Sequence, residues 1–183
     1  MAVEQEIFKI VVTGPESSGK TTLAQALASA LGSPCVPEFA RAYLEHLGRP
    51  YDYNDLKMIA LGQKTWEDWF TRSYNLLSPP PLHSSNPPLI LDTDWTVIRI
   101  WEYYKYGTTG ITTPLPPLAP LYLLCSPDFD WQPDPLREHP NERTALFRLY
   151  LDLLQTSGAN FQVLKGAPET RLQTALQIIP GYY

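Results

Sequence analysis

Phe8-Lys9-Ile10-Val11-Val12-Thr13-Gly14-Pro15-Glu16-Ser17-Ser18-Gly19-Lys20-Thr21-Thr22-Leu23 is the stretch on which the reading of this chain turns. Residues 8–13 form a continuous β-branched run, the pattern of a strand covered on both faces, and such strands belong to parallel sheets. From Lys20 the composition changes to good helix formers. Leu23, Leu27 and Leu31 share one stripe at four-residue spacing, and Gly32 stops the run. Between strand and helix, Gly14 to Thr21 matches G-x-x-x-x-G-K-[ST]. Glycines there let the backbone curl so that successive N–H groups and the positive helix end face a phosphate. In that geometry Gly14, Glu16, Ser17, Ser18, Gly19, Lys20, Thr21 and Thr22 surround a nucleotide's phosphates. Lys20 reaches the β and γ groups, and the Thr21 hydroxyl holds Mg²⁺. ATP and Mg²⁺ are the ligands this pattern predicts.

The same alternation continues downstream. Val36 marks a short second strand, followed by a helix over 38–47 that Gly48 ends. Asn54 or Asp55 can cap a long helix to about residue 77, with Met58, Gly62, Trp66, Trp69 and Ser73 close to one face. Strands are expected at 89–92, 121–125 and 161–165. Helices are expected at 93–106, 141–155 and 168–179, the last with Pro168 in its first turn. Five short apolar strands alternating with helices predict an α/β domain with a doubly wound five-stranded parallel sheet and helices on both faces.

Composition agrees. The 183 residues correspond to about one domain, read here as 1–183, and 44% are apolar against 18% charged. Cys35 and Cys125 stand apart in apolar contexts, as buried thiols in a reducing compartment would, so a cytoplasmic location is expected. No apolar stretch approaches the roughly 18 residues of a membrane span. A net charge of −5 without a Lys/Arg run speaks against nucleic-acid binding, which needs a basic face. Proline is abundant, 19 residues, and 13 of them cluster at 79–88, 114–120 and 127–140. With 12% aromatic residues present, those clusters read as stiffened connections rather than disorder.

Further chemistry is expected at the strand ends. Asp92 closes an apolar strand, where an acid can serve Mg²⁺, and Asp94 either joins it or caps the next helix. Glu38 follows the second strand into the same crevice, where a carboxylate can accept a proton from an attacking hydroxyl, with Arg41 beside it. Residues 126–140 read as a lid, and Arg137 and Arg143 can bring cations to a migrating phosphoryl group. Trp66, Trp69, Trp95 and Trp101 are either core or a stacking face for a planar, even cationic, ring.

In order and spacing, GPESSGKTTL, PEFAR, IALGQ, LDTD and PDFDWQPDPLR resemble the ribosylnicotinamide kinase domain of the NadR type, over about residues 7–175. The resemblance implies a P-loop nucleotide-kinase fold and ATP-dependent phosphorylation of nicotinamide riboside, a small nucleoside-like partner, to nicotinamide mononucleotide. It carries the ATP phosphates onto 14–22 and the metal or ribose hydroxyls onto Asp92 and Asp94. The lid arginine becomes Arg137, and the nicotinamide stack falls to Trp69, which follows Asp68. The chain departs from the family at Pro37, where a Trp commonly precedes the glutamate. His46, His83 and His139 do not form the H-x-G-H pattern of the adenylyltransferase that often accompanies the kinase, and no helix-turn-helix is expected ahead of the first strand. The residues themselves leave two other readings open: a kinase for a different nucleoside or nucleotide, and a regulatory P-loop ATPase acting as a switch.

Overall fold

The computed structural model describes residues 7–77 and 87–182. Its central sheet has five parallel strands in the order β2-β3-β1-β4-β5, with β1 Lys9–Thr13, β2 Cys35–Val36, β3 Leu89–Asp92, β4 Leu121–Cys125 and β5 Phe161–Leu164. The helices are α1 Lys20–Leu31, α2 Phe39–Glu45, α3 Tyr53–Leu77, α4 Trp95–Tyr106, α5 Arg143–Thr156 and α6 Pro168–Ile178, followed by a 3₁₀ turn, Ile179–Tyr182. This is the doubly wound α/β fold that the sequence pattern predicts.

Strand periodicity explains how continuous apolar runs serve two faces. Ile10, Val12, Ile90, Leu121, Leu123 and Cys125 pack toward α1 and α6 with Leu23, Leu27, Ala175 and Ile179. Val11, Leu89, Leu91, Tyr122 and Leu124 point the other way, onto α4 and α5 through Val97, Ile100, Leu146, Tyr150 and Leu154. A third cluster joins α2, α3 and α4 around Leu56, Ile59 and Ile98. Both cysteines are free thiols, Cys125 buried and Cys35 half-buried, and burial pushes each up to about 11. No helix among the described residues is long and apolar enough to cross a membrane.

Register sets the site. Val12 of β1 lies level with Asp92 of β3 and with Leu123 of β4, so the C-terminal ends of the central strands open together. From β1 the chain crosses to β2 on one side, and from β3 it crosses to β4 on the other, and a crevice forms at such a reversal.

Several boundaries differ from expectation for local reasons. The cap of α3 is Asp52 rather than Asn54 or Asp55. Its carboxylate accepts from the N–H groups of Asn54 (2.7 Å) and Asp55 (3.1 Å), while Asp55 accepts from the Asp52 N–H (2.8 Å), closing a reciprocal capping box. Asp55 also holds Arg49 through two bonds of 2.6 and 2.9 Å, which keeps its carboxyl well below the usual range. Helix α2 is shorter than 38–47 because Glu38 stands outside it in extended backbone. The first proline cluster lies outside the described residues apart from Pro87 and Pro88.

Candidate active site

The phosphate loop is built from local forces. Gly14 adopts φ 142°, and a Cβ there would lie 2.6 Å from the Cys125 carbonyl oxygen, so only glycine lets the chain leave β1 against β4. The loop then folds on itself: the Ser18 hydroxyl donates to the Pro15 carbonyl at 2.7 Å, and Lys20 Nζ donates to the same oxygen at 2.9 Å. Gly14, Glu16 and each residue from Ser17 to Thr22 line one cavity. This loop, at the N-terminus of α1, supplies N–H groups, a positive helix end and an ammonium group.

Glu38 lines the same cavity. Gln63 of α3 holds the turn that carries it, accepting from the Phe39 N–H at 2.8 Å and donating to the Pro37 carbonyl at 3.5 Å. The Phe39 ring sits where Gly62 has no side chain. Burial, then the charges of Asp92 and Glu16, push the Glu38 carboxyl up, while Lys20 and Arg41 pull it down. Asp92 is buried at the end of β3. Burial raises its carboxyl as well, opposed by the Thr21 hydroxyl and Lys20. Its Oδ1 has no hydrogen-bond partner. A buried carboxylate oxygen without a partner, beside a hydroxyl, is a hard-oxygen donor set that fits Mg²⁺. Among the described residues no group of three or more His, Cys, Asp or Glu forms a dedicated cage, so phosphate and water oxygens would complete such a shell.

Residues 126–140 contain no helix or strand and lie across the loop. Glu16 accepts from the N–H groups of Glu138 and His139, each at 3.1 Å, and the Ser17 hydroxyl accepts from Gln132 N–H at 3.0 Å. Arg41 Nη2 donates to Asp134 at 2.9 Å, and Lys105 of α4 reaches Glu138 at 3.3 Å. Arg137 enters the cavity lining, with Nη1 at 3.5 Å from the Ser17 hydroxyl and on the Gln132 carbonyl. Arg143 stays behind the loop and binds the carbonyls of Phe129 (2.8 Å) and Ser17 (3.4 Å).

The rest of the lining is largely apolar and aromatic, with Leu44, Tyr51, Ile59, Val97, Trp101 and Tyr150. Trp101 packs beside His139 at 5.0 Å between ring centroids, so the segment over the loop also closes on α4.

Asp92 and Arg143 are not among the residues that line the cavity, and two further sequence expectations fall elsewhere. Trp69 is 61% exposed, lies outside the cavity lining and meets Phe70 edge-on, because the face of α3 that packs inward carries Leu56, Ile59 and Gln63 instead. Asp94 is the cap of α4 and takes no place in the cavity. Its Oδ1 accepts from Thr96 N–H (2.9 Å) and hydroxyl (2.6 Å), its Oδ2 from the Tyr122 hydroxyl (3.1 Å), and burial lifts it to about 6. Sequence reasoning passed over Tyr51, Tyr150 and the buried Arg171, none of which carries a motif, and gave Gln63 no role although it closes the quoted IALGQ stretch. Of the four tryptophans weighed as a stacking face, Trp101 alone lines the cavity.

The sequence matches the family described as an AAA domain over residues 9–171, which is a match to the P-loop NTPase superfamily. No curated protein matches the chain. Among solved structures, a NadR protein in complex with NR is similar at 23% identity and a TM-score of 0.77, covering 98% of this chain and 52% of that one. A NadR protein in complex with NAD and AMP-PNP is similar at 21% identity and 0.72, covering 95% and 49%. The chain thus spans about half the length of these NadR chains. Deoxyadenosine kinase from M. mycoides, with the products dCMP and dCDP, is similar at 14% identity and 0.59, covering 96% and 100%. These likenesses place the fold among P-loop kinases.

Proposed function

The chain belongs to the AAA domain family, and from that premise we propose that it is a kinase transferring the γ phosphoryl group of ATP to the 5′ hydroxyl of nicotinamide riboside. One observation carries the reading: the phosphate loop with Lys20, the carboxylate Glu38 and the aromatic residues Tyr51, Trp101 and Tyr150 line a single cleft. The fold likeness to NadR supports the choice of acceptor. So does the presence of Glu38 and Trp101 in one lining, because a pyridinium ring favours both carboxylates and π faces.

In this mechanism the acceptor lies against the aromatic wall with its hydroxyl toward Glu38. Glu38 takes the hydroxyl proton as the oxygen attacks phosphorus, and its raised pKa makes it a stronger base than an exposed carboxylate. Lys20 and Arg137 offset the charge spreading over the phosphoryl oxygens, and residues 126–140 exclude water. When bound, Mg²⁺ would be held by Thr21 and Asp92 and would neutralise charge on the β and γ phosphates.

A second reading has its own support. The deoxyadenosine kinase matches across its full length, whereas the NadR likeness covers half of that protein. Incubation with ATP and a panel of nucleosides, with products read by chromatography and mass, decides between them. Nicotinamide mononucleotide is the expected product. Phosphorylation of a purine deoxynucleoside but not of nicotinamide riboside overturns the acceptor, and ATP hydrolysis with no acceptor used overturns the kinase reading altogether.

A further inference from the structure

We propose that Arg171, on α6 and far in sequence from every motif of the cleft, is a positioning residue that holds the phosphate loop ready for nucleotide; this rests on the kinase reading above.

The side chain is 1% exposed, yet it carries a full charge. Its Nη1 donates to the Ser18 carbonyl at 2.6 Å, Nη2 to the Ser126 carbonyl at 2.7 Å, and Nε to the Gly166 carbonyl at 2.9 Å. The one carboxylate in reach, Asp128 Oδ2, is 3.3 Å from Nη2 and also accepts from the Gly166 N–H at 2.7 Å. The guanidinium lies 4.3 Å over the Phe129 ring, and that ring would meet a Cβ on Gly19 at 3.0 Å. One planar fork therefore joins the phosphate loop, the residue after β4, the turn after β5 and the root of the 126–140 segment.

Burying a guanidinium against carbonyls costs more than burying an apolar chain of the same volume, so stability alone does not account for it. Peptide geometry does. In a trans peptide the C=O and the next N–H point in opposite directions, so drawing the Ser18 carbonyl back onto Arg171 turns the Gly19 N–H away from it, and Gly19 lines the cavity. Arg171 thus aims a loop donor at the phosphate side while the positive charge sits directly behind the loop. Preorganisation of this kind shows in nucleotide affinity, because the unbound loop no longer needs ordering at each encounter.

The test is Mg·AMP-PNP affinity measured by calorimetry on the intact chain, with KM for ATP and for the acceptor in parallel. Arg171→Met is expected to weaken AMP-PNP binding on the order of tenfold to a hundredfold, with Arg171→Lys between it and the parent. KM for ATP should rise while KM for the acceptor stays put. Wild-type affinity in Arg171→Lys or Arg171→Met, with only a lower Tm, overturns the proposal and leaves Arg171 a structural residue. If neither variant folds, Phe129→Leu at its half-buried position removes the ring beneath the guanidinium, and unchanged affinity there overturns it equally. A parent protein that binds no AMP-PNP overturns the kinase reading itself, a result distinguishable from failure of the variants alone.

Discussion

The two ends of the cleft are built on different plans. The phosphate end is one unbroken stretch, 14–22, that closes through its own Ser18 and Lys20 bonds to Pro15. The apolar and aromatic part of the lining, proposed to take the acceptor, is gathered from α2, α3, α4, α5 and the turn at Tyr51, residues scattered between Leu44 and Tyr150. A local motif can be shared by every member of a superfamily, whereas a wall assembled by packing is free to vary. On the kinase reading proposed above, the difference teaches that phosphate binding rests on the local stretch and acceptor choice on the assembled wall.

Breaking the phosphate end should have the largest effect. Lys20→Ala is expected to abolish turnover, by about a thousandfold or more in kcat, because a preorganised cation at the transferring group is lost. A coupled ADP assay checks it, and wild-type turnover in that variant removes the phosphate-loop assignment. Next comes the junction of the two ends. Glu38→Gln should lower kcat by roughly a hundredfold or more if this residue takes the proton. The pH profile sharpens the point. Glu38 works only when deprotonated, and burial raises its pKa, so kcat/KM should fall as pH drops through a value above the ordinary carboxylate range. That acid limb should disappear in Glu38→Gln.

Three smaller perturbations follow, the first of them at the aromatic lining. Trp101→Leu should raise KM for the acceptor about tenfold, a loss typical of one aromatic contact, while KM for ATP is unchanged. Equal rises in both would show that the two ends are not separable. Gly62→Ala sets a Cβ against the Phe39 ring and should lower unfolding free energy by about 1–3 kcal/mol in a denaturant titration. Asp134→Asn removes an ion pair whose Arg41 side is 45% exposed, so it should change kcat/KM only about twofold.

The contrast between the ends also explains what could be read in advance. Glu38 and Arg137 both line the cleft, the first expected there because it follows a strand end that apolar patterning locates, the second because it lies in the proline-rich segment after β4. Residue pattern alone does not separate Trp69 from Trp101, each an indole on an amphipathic helix, and the family resemblance assigns the stack to Trp69. Periodicity reports that a face is apolar but not which element covers it, and the packing of α3 leaves Trp69 outside while α4 brings Trp101 in. For Asp94 the sequence allows either a second site acid or the cap of α4, and the bonds from Thr96 and Tyr122 to its oxygens decide for the cap.

By itself the sequence determined the phosphate loop, the five-strand parallel sheet and the carboxylate at Glu38, because these depend on bonds and periodicities spanning a few residues. Only the tertiary structure decided which aromatic residue faces the cleft, how residues 126–140 dock on Glu16 and Arg41, and that Arg171 reaches Ser18 across 153 positions of chain. Contacts of that range are set by how whole helices pack on the sheet, and no local pattern encodes them.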